Sequence, residues 1–71
     1  MYNFDMQIML NGEQRKLEQA LTVQQLLDDL KIPAGRVACE VNLKIVRRSL
    51  FPDTLLKDGD TIEIIQAIGG G

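Results

Sequence analysis

The stretch Thr61-Ile62-Glu63-Ile64-Ile65-Gln66-Ala67-Ile68 decides the fold of this chain, because it is the most apolar strand-like run in the sequence. A short, nearly continuous apolar run is typical of a strand buried inside a sheet. Ile62 and Ile64 alternate and are predicted to face a helix, whereas Ile65, Ala67 or both are expected on the opposite face. We therefore predict a sheet with this last strand near its centre.

Three glycines, Gly69-Gly70-Gly71, follow that strand. Glycine has no Cβ and adopts backbone conformations that other residues avoid, so this tail can enter a channel too narrow for any side chain. Three extended residues reach roughly 10 Å, at ~3.3–3.6 Å each. We interpret the α-carboxylate of Gly71 as the functional group, presented to the active site of another protein. The alternative is a glycine linker with no chemical role.

Length and composition exclude several classes of function. The sequence has 71 residues, no histidine, one cysteine and a formal charge of −2. One small domain is expected, and a disulfide framework or a cysteine and histidine metal cage is excluded. The acidic balance argues against nucleic-acid binding, and no apolar run is long enough to span a bilayer. The lone thiol and the absence of a signal peptide predict a cytoplasmic protein.

The first part of the chain predicts a hairpin followed by a helix. Asn11-Gly12 is a strong two-residue turn signal between a strand from Met6 and a polar edge strand over residues 13–18. Thr22 and Gln25 have the spacing of a capping box at a helix start, and Pro33 prevents continuation past residue 32. Four apolar residues then form one helical stripe: Val23, Leu26, Leu27 and Leu30.

The second part predicts two strands, a loop and the final strand. Apolar and polar residues alternate from Val37 to Val41, Asn42-Leu43 turns the chain, and residues 44–48 form a fourth strand. Residues 49–56 are expected to form a loop or a short 3₁₀ segment, and Asp58-Gly59-Asp60 a tight turn. Four residues of the loop are expected to close one end of the core: Leu50, Phe51, Leu55 and Leu56. The predicted class is α+β, with one main helix on one face of a mixed sheet of four to five strands.

Domain boundaries follow from the same pattern. Residues 1–5 have no periodicity and are predicted to be a flexible leader. Residues 6–68 are predicted to be the folded domain, and residues 69–71 a flexible tail.

The sequence carries no recognisable catalytic constellation. It lacks a histidine base, a Ser-His-Asp arrangement and a phosphate-binding glycine loop. Cys39 alternates with two valines, so we interpret it as a small buried hydrophobe, with a redox or sulfur-transfer role as the alternative. Met9 and Ile65 are expected on the sheet face away from the helix, where uncovered apolar residues indicate partner docking. Lys44, Arg47 and Arg48 form a basic group that is either a solvated surface or a docking site for an acidic partner.

Taken in order, these motifs resemble one family over residues 6–71. The residues that carry the resemblance are Met6-Gln7-Ile8, Asn11-Gly12, Thr22-Val23, Leu26-Leu27, Val41-Asn42, Ile45-Val46, Leu56, Asp58-Gly59-Asp60, Ile62-Glu63-Ile64 and the terminal glycines. The chain is similar to ThiS, the thiamine-biosynthesis sulfur carrier family. The resemblance implies a ubiquitin-like β-grasp fold, in which the first and last strands pair in parallel at the sheet centre.

The resemblance also implies a carrier rather than an enzyme. A ThiF-like adenylyltransferase would use ATP and magnesium to adenylate the carboxylate of Gly71, and the carrier itself would bind no cofactor. A sulfur donor, such as a cysteine desulfurase, would convert the adenylate into a thiocarboxylate for a ThiG-like thiazole synthase. Gly69 and Gly70 would form the tail, and four residues would contact the partners: Met9, Ile65, Ala67 and Ile68. The alternatives are a molybdopterin-synthase small subunit, a protein modifier and a β-grasp interaction module without a reactive terminus.

Overall fold

The computed structural model describes residues 6–66, which form a five-stranded sheet with one helix packed on it. The elements are β1 (Met6–Leu10), β2 (Glu13–Leu17), α1 (Val23–Leu30), a 3₁₀ turn (Ala34–Arg36), β3 (Val37–Val41), β4 (Lys44–Val46), a second 3₁₀ segment (Arg48–Asp53) and β5 (Thr61–Gln66). The predicted leader, residues 1–5, and the predicted tail, residues 69–71, lie outside the described residues.

The strand order β2-β1-β5-β3-β4 places β5 at the centre of the sheet, as its apolar sequence predicted. β5 pairs in parallel with β1 through Met9–Thr61 and Leu10–Ile62. On its other side it pairs antiparallel with β3 over five residue pairs, from Val41–Ile62 to Val37–Gln66. The first and last strands are therefore the parallel central pair that the resemblance implied, and the mixed sheet with one helix is a β-grasp architecture.

The helix α1 begins where the capping box predicted. The amide of Gln25 donates to the Thr22 hydroxyl at 3.1 Å, and the Gln25 side-chain oxygen accepts from the Thr22 amide at 2.9 Å. At the other end Lys31 adopts a left-handed conformation with φ 60°. The amide of Ile32 then donates to the carbonyl of Leu27 at 2.9 Å. This is a Schellman ending with lysine in place of the usual glycine, so the helix stops at Leu30 before Pro33 is reached.

The core lies between α1 and the inner face of the sheet. Its buried residues are Met6, Ile8, Leu17, Leu21, Val23, Leu26, Leu27, Cys39, Phe51, Leu56, Ile62 and Ile64. The prediction for the loop was half wrong, because Phe51 and Leu56 are buried while Leu50 and Leu55 are 48% and 54% exposed. Neighbouring side chains of a 3₁₀ segment point in different directions, and those of extended chain point in opposite directions, so only one of each adjacent pair reaches the core.

Both aspartates of the turn before β5 accept hydrogen bonds that hold the turn in place. The amide of Gln7 donates to the carboxylate of Asp58 at 2.8 Å, and the amide of Lys57 donates to that of Asp60 at 2.8 Å. Gly59 has a φ of 88°, a conformation that side chains disfavour. The prediction of a tight turn is confirmed, and the turn ties the start of β5 to Gln7 of β1.

The helical elements within residues 6–66 include none with the length and apolar character needed to cross a membrane.

Candidate functional site on the outer sheet face

The face of the sheet away from α1 carries exposed apolar side chains. We call it the outer sheet face, and its members on the four adjacent strands are Met9 (β1), Thr61, Glu63 and Ile65 (β5), Ala38 and Glu40 (β3) and Ile45 (β4). Met9 is 38% exposed, Ile65 54% and Ile45 76%. Alternation along each strand explains this pattern, because the neighbours Ile8, Ile64 and Val46 point inward to the core.

The predicted docking residues are only partly brought together. Met9 and Ile65 are both exposed on the outer sheet face, as expected. Met9 is paired with Thr61, however, so Ile65 lies four residues further along the neighbouring strand. Ile65 instead stands directly opposite Ala38. Ala67 and Ile68 lie outside the described residues, and the docking role of all four stays a prediction.

Strand β5 is held from both sides by the turns of the two hairpins. On the β3 side, the side-chain oxygen of Asn42 accepts from the amide of Thr61 at 2.9 Å, and its side-chain nitrogen donates to the Asp60 carboxylate at 2.9 Å. On the β1 side, the amide of Asn11 donates to the carbonyl of Ile62 at 2.9 Å. β5 therefore runs from a fixed start to Gln66, and the predicted tail, residues 69–71, follows later in the sequence.

Sequence reasoning missed two exposed apolar residues and one charged pair. Leu43 and Ile45, at and beside the β3–β4 turn, are 84% and 76% exposed. Glu40 of β3 stands directly opposite Glu63 of β5. The alternation of β3 predicted that Glu40 faces away from the core. Its pairing with Glu63 depends on strand register, which no local signal in the sequence specifies.

The single thiol lies in the core rather than at a reactive surface. Cys39 has no exposed area. Burial, with a smaller contribution from the charge of Glu40, raises the pKa of the Cys39 thiol above its ordinary value of 9.0. Because the thiolate is the nucleophilic form, this environment disfavours sulfur chemistry at Cys39. The interpretation of Cys39 as a small buried hydrophobe is confirmed.

Residues 6–66 contain no group of three histidine, cysteine, aspartate or glutamate side chains arranged to hold a metal ion. The two aspartates of the turn before β5 are engaged with main-chain amides, as their hydrogen bonds show.

A mixed five-stranded sheet with the last strand at its centre and one helix packed on one face defines the β-grasp class of small domains. Comparison with known proteins places this chain more narrowly. The ThiS family model matches residues 8–71. The crystal structure of the thiamine biosynthesis protein ThiS from Geobacter metallireducens superposes with a TM-score of 0.81 at 35% identity, covering 93% of this chain and 100% of that one. The chain belongs to the ThiS family.

Two curated relatives add detail. The chain is 33% identical over 66 residues to sulfur carrier protein ThiS of Escherichia coli, covering 93% of this chain and 100% of that protein. It is 41% identical over 66 residues to thiazole synthase of Paramagnetospirillum magneticum, covering 93% of this chain and 20% of that protein. The chain thus spans about a fifth of the thiazole synthase that it matches.

Proposed function

We propose that this chain is a sulfur carrier for thiazole formation in thiamine biosynthesis, with the carboxyl group of Gly71 as the carrying group. The proposal requires Gly71 to bear a free α-carboxylate. The carrier supplies a narrow tail and a docking surface, and partner enzymes supply the catalytic groups.

The first step is activation of the carboxylate. An α-carboxylate with a pKa of about 3.5 is ionised at neutral pH and is a poor electrophile. An adenylating partner binds ATP and magnesium, and an oxygen of the Gly71 carboxylate attacks the α-phosphorus. Pyrophosphate leaves, and the carbonyl carbon becomes part of a mixed anhydride with AMP.

The second step exchanges oxygen for sulfur. A sulfur nucleophile at the oxidation level of hydrogen sulfide attacks the carbonyl carbon of the anhydride, and AMP leaves with the bridging oxygen. The product is a thiocarboxylate on Gly71. Its sulfur then forms a bond to an electrophilic carbon of the acceptor held by a thiazole synthase. Water cleaves the acyl carbon–sulfur bond, which leaves the sulfur on the acceptor and regenerates the carboxylate.

The described residues support a carrier role in two ways. β5 is paired on both sides and hydrogen-bonded at its start, so the strand that precedes the predicted tail in sequence is anchored in the sheet. The thiol of Cys39 is buried with its pKa raised, which leaves the tail as the better candidate for the sulfur. We assign the docking of partners to Met9, Ile65, Ala67 and Ile68, as the sequence predicted.

The relative named thiazole synthase supports the choice of acceptor. A segment similar to this chain makes up 20% of that protein. Joining a carrier to its acceptor enzyme in one polypeptide raises the effective concentration of each for the other. The thiamine branch is therefore favoured over the molybdopterin alternative, and the cytoplasmic location stays a prediction.

Intact-mass measurement tests the proposal. The chain is incubated with ATP, magnesium, an adenylating enzyme and a sulfur source, and the modified residue is located by fragmentation. We expect an oxygen-to-sulfur exchange confined to Gly71, also in the variant Cys39→Ala. A chain that ends in an amide at Gly71 is the matched control and should gain no sulfur. Sulfur on Cys39, or equal loading of the amidated chain, would contradict the proposal.

A further inference from the structure

The turn between β1 and β2 contains a sequence that can modify itself. Asn11 is followed by Gly12, and the two residues have φ values of 49° and 85°. The main-chain nitrogen of the residue after an asparagine can attack the side-chain carbonyl carbon, Cγ, and close a five-membered succinimide ring. Glycine presents this nitrogen without a Cβ beside it, so the attack meets the least steric hindrance in the sequence Asn-Gly. Asn11 is exposed, so water reaches the turn.

The reaction needs only water besides the chain itself. The amide of Gly12 gives its proton to water and its electron pair to Cγ of Asn11. The Cγ–Nδ2 bond then breaks, the leaving nitrogen takes up a proton from water, and ammonia departs. A second water opens the ring at one of its two carbonyl carbons. Cleavage of the bond between the ring nitrogen and Cγ leaves an aspartate. Cleavage of the bond to the main-chain carbon leaves an isoaspartate, in which the chain runs through Cβ and Cγ.

Strand β5 holds the reacting group of Asn11 in place. Its side-chain oxygen accepts from the amide of Ile64 at 2.8 Å, and its side-chain nitrogen donates to the carbonyl of Ile64 at 3.3 Å. The main-chain amide of Asn11 also donates to the carbonyl of Ile62 at 2.9 Å. Attack makes Cγ tetrahedral and expels the side-chain nitrogen, so it gives up the planar geometry on which both side-chain bonds depend. These bonds therefore oppose the reaction while β5 lies beside the turn.

We propose that Asn11 is a site of spontaneous deamidation whose rate is set by how often β5 separates from the β1–β2 turn. β5 in place protects the side chain, and local or global opening releases it. An aspartate at this position has no donor for the carbonyl of Ile64, and an isoaspartate lengthens the main chain of a two-residue turn. Both products weaken the hold on β5, so a chain that has reacted opens more readily afterwards. The inference is independent of the proposed function, because it involves no partner and no group of the tail.

Asn42 provides a control within the same chain. It occupies the equivalent position of the β3–β4 turn with a φ of 54°, and Leu43 follows it with a φ of 70°. Its side chain is also bonded to β5, since its side-chain oxygen accepts from the amide of Thr61 at 2.9 Å. The side chain of Leu43 obstructs the approach of its own main-chain nitrogen to Cγ of Asn42. The two sites therefore differ in the residue that follows the asparagine.

Peptide mass spectrometry of the full chain, stored in mildly alkaline buffer with and without guanidinium chloride, tests the proposal. In the unfolded chain Asn11 should convert at least about tenfold faster than Asn42, since only Gly12 lacks a Cβ. In the folded chain Asn11 should convert at least about tenfold more slowly than in the unfolded chain, because open states are rarely populated. Below the unfolding midpoint, the rate at Asn11 should rise in proportion to the open population.

Three variants separate the chemistry from the protection by β5. Gly12→Ala should slow conversion of Asn11 in the unfolded chain at least about tenfold, because a Cβ then obstructs the attack. Asn42→Ala releases the start of β5, so it should speed conversion of Asn11 in the folded chain at least about threefold and leave the unfolded rate unchanged. Gln24→Ala is its matched control, since it removes a surface hydrogen bond on the helix and should change the folded rate by about twofold or less.

The separated products test the effect on β5. The aspartate product should have the Tm of the variant Asn11→Asp, and the isoaspartate product should melt a few degrees below the unchanged chain. Equal rates at Asn11 in the folded and unfolded chain would overturn the protection by β5. Conversion of Asn42 as fast as Asn11 in the unfolded chain would overturn the choice of site. An isoaspartate product with unchanged Tm would overturn the weakened hold on β5.

Discussion

The side chain of Asn11 continues the central strand pairing after β1 has turned away from β5. The main-chain amide of Ile64 donates to the side-chain oxygen of Asn11 at 2.8 Å, and the side-chain nitrogen of Asn11 donates to the carbonyl of Ile64 at 3.3 Å. One side-chain amide thus occupies the place that a further residue of β1 would take. The asparagine that makes the turn possible also holds the strand that leads to the tail.

Replacing Asn11 should separate its two roles. Asn11→Gly keeps the positive φ but loses both side-chain bonds to Ile64, and we expect a loss of about 1–2 kcal/mol in the free energy of unfolding. Asn11→Asp keeps the acceptor and loses the donor, so it should fall between that variant and the unchanged chain. Urea unfolding measures all three. Equal stability of Asn11→Gly and the unchanged chain would show that these two hydrogen bonds make no net contribution to the free energy of unfolding.

A charge at Ile65 should weaken docking without unfolding the domain. Ile65 is 54% exposed on the outer sheet face, so Ile65→Asp removes an apolar contact and adds a charge where a partner would exclude water. We expect at least about tenfold weaker binding to the adenylating enzyme in a titration. Leu50→Asp is the matched control, since Leu50 is 48% exposed in the second 3₁₀ segment. Unchanged affinity of Ile65→Asp would remove Ile65 from the docking surface.

The identity of the last residue should matter for activation and not for folding. Deleting Gly71, or adding one alanine after it, displaces or blocks the carboxylate that the proposed adenylation needs. We expect ATP–pyrophosphate exchange to fall to background in both variants. Thermal unfolding should be unchanged, because the buried core residues found within residues 6–66 all lie between Met6 and Ile64. Normal exchange by the extended chain would contradict the carrier function.

The buried thiol should make stability fall at alkaline pH. Burial holds the pKa of Cys39 above 9.0 in the folded chain, while the unfolded chain ionises near that ordinary value. As pH rises above about 9, the unfolded state therefore loses a proton that the folded state keeps, and the unfolding free energy decreases. Cys39→Ala lacks this contribution. The stability difference between the two proteins should be constant from about pH 6 to 8 and should shrink above pH 9.

The capping box should account for a measurable part of helix stability. Thr22→Ala removes the acceptor for the Gln25 amide and should cost about 1 kcal/mol in the free energy of unfolding. Gln24→Ala is the control, because it removes only a surface bond from Gln24 to Asp28 and should cost about 0.2–0.5 kcal/mol. Thermal unfolding compares the two. A smaller effect for Thr22→Ala than for Gln24→Ala would contradict the assigned role of the cap.

Local signals in the sequence predicted the elements well. Asn11-Gly12 favours a tight turn, and the capping box of Thr22 and Gln25 forms only at a helix start. The apolar run of β5 is favoured at the centre of the sheet, between two neighbouring strands. The end of α1 was harder to predict, because Lys31 adopts a left-handed conformation that is usual for glycine and not for lysine. Leu43 also has a positive φ, which the residue type did not indicate.

The candidate site was less predictable than the fold because it depends on register. That Met9 and Ile65 are exposed follows from alternation, but their separation along the strands follows from the pairing of Met9 with Thr61. The opposition of Glu40 and Glu63 likewise arises from residues 23 positions apart in the sequence. Local patterns report which face a side chain occupies, whereas only the assembled sheet reports its neighbours.

The position of β5 has a consequence for how the domain forms. It lies between β1 and β3, so the two hairpins are not hydrogen-bonded to each other. They become one sheet only when the last strand inserts between them. Closure of this long loop, from Met9 to Thr61, is expected to dominate the folding time. During synthesis, therefore, part of the apolar surface of the two hairpins and the helix would remain exposed until the final strand has been made.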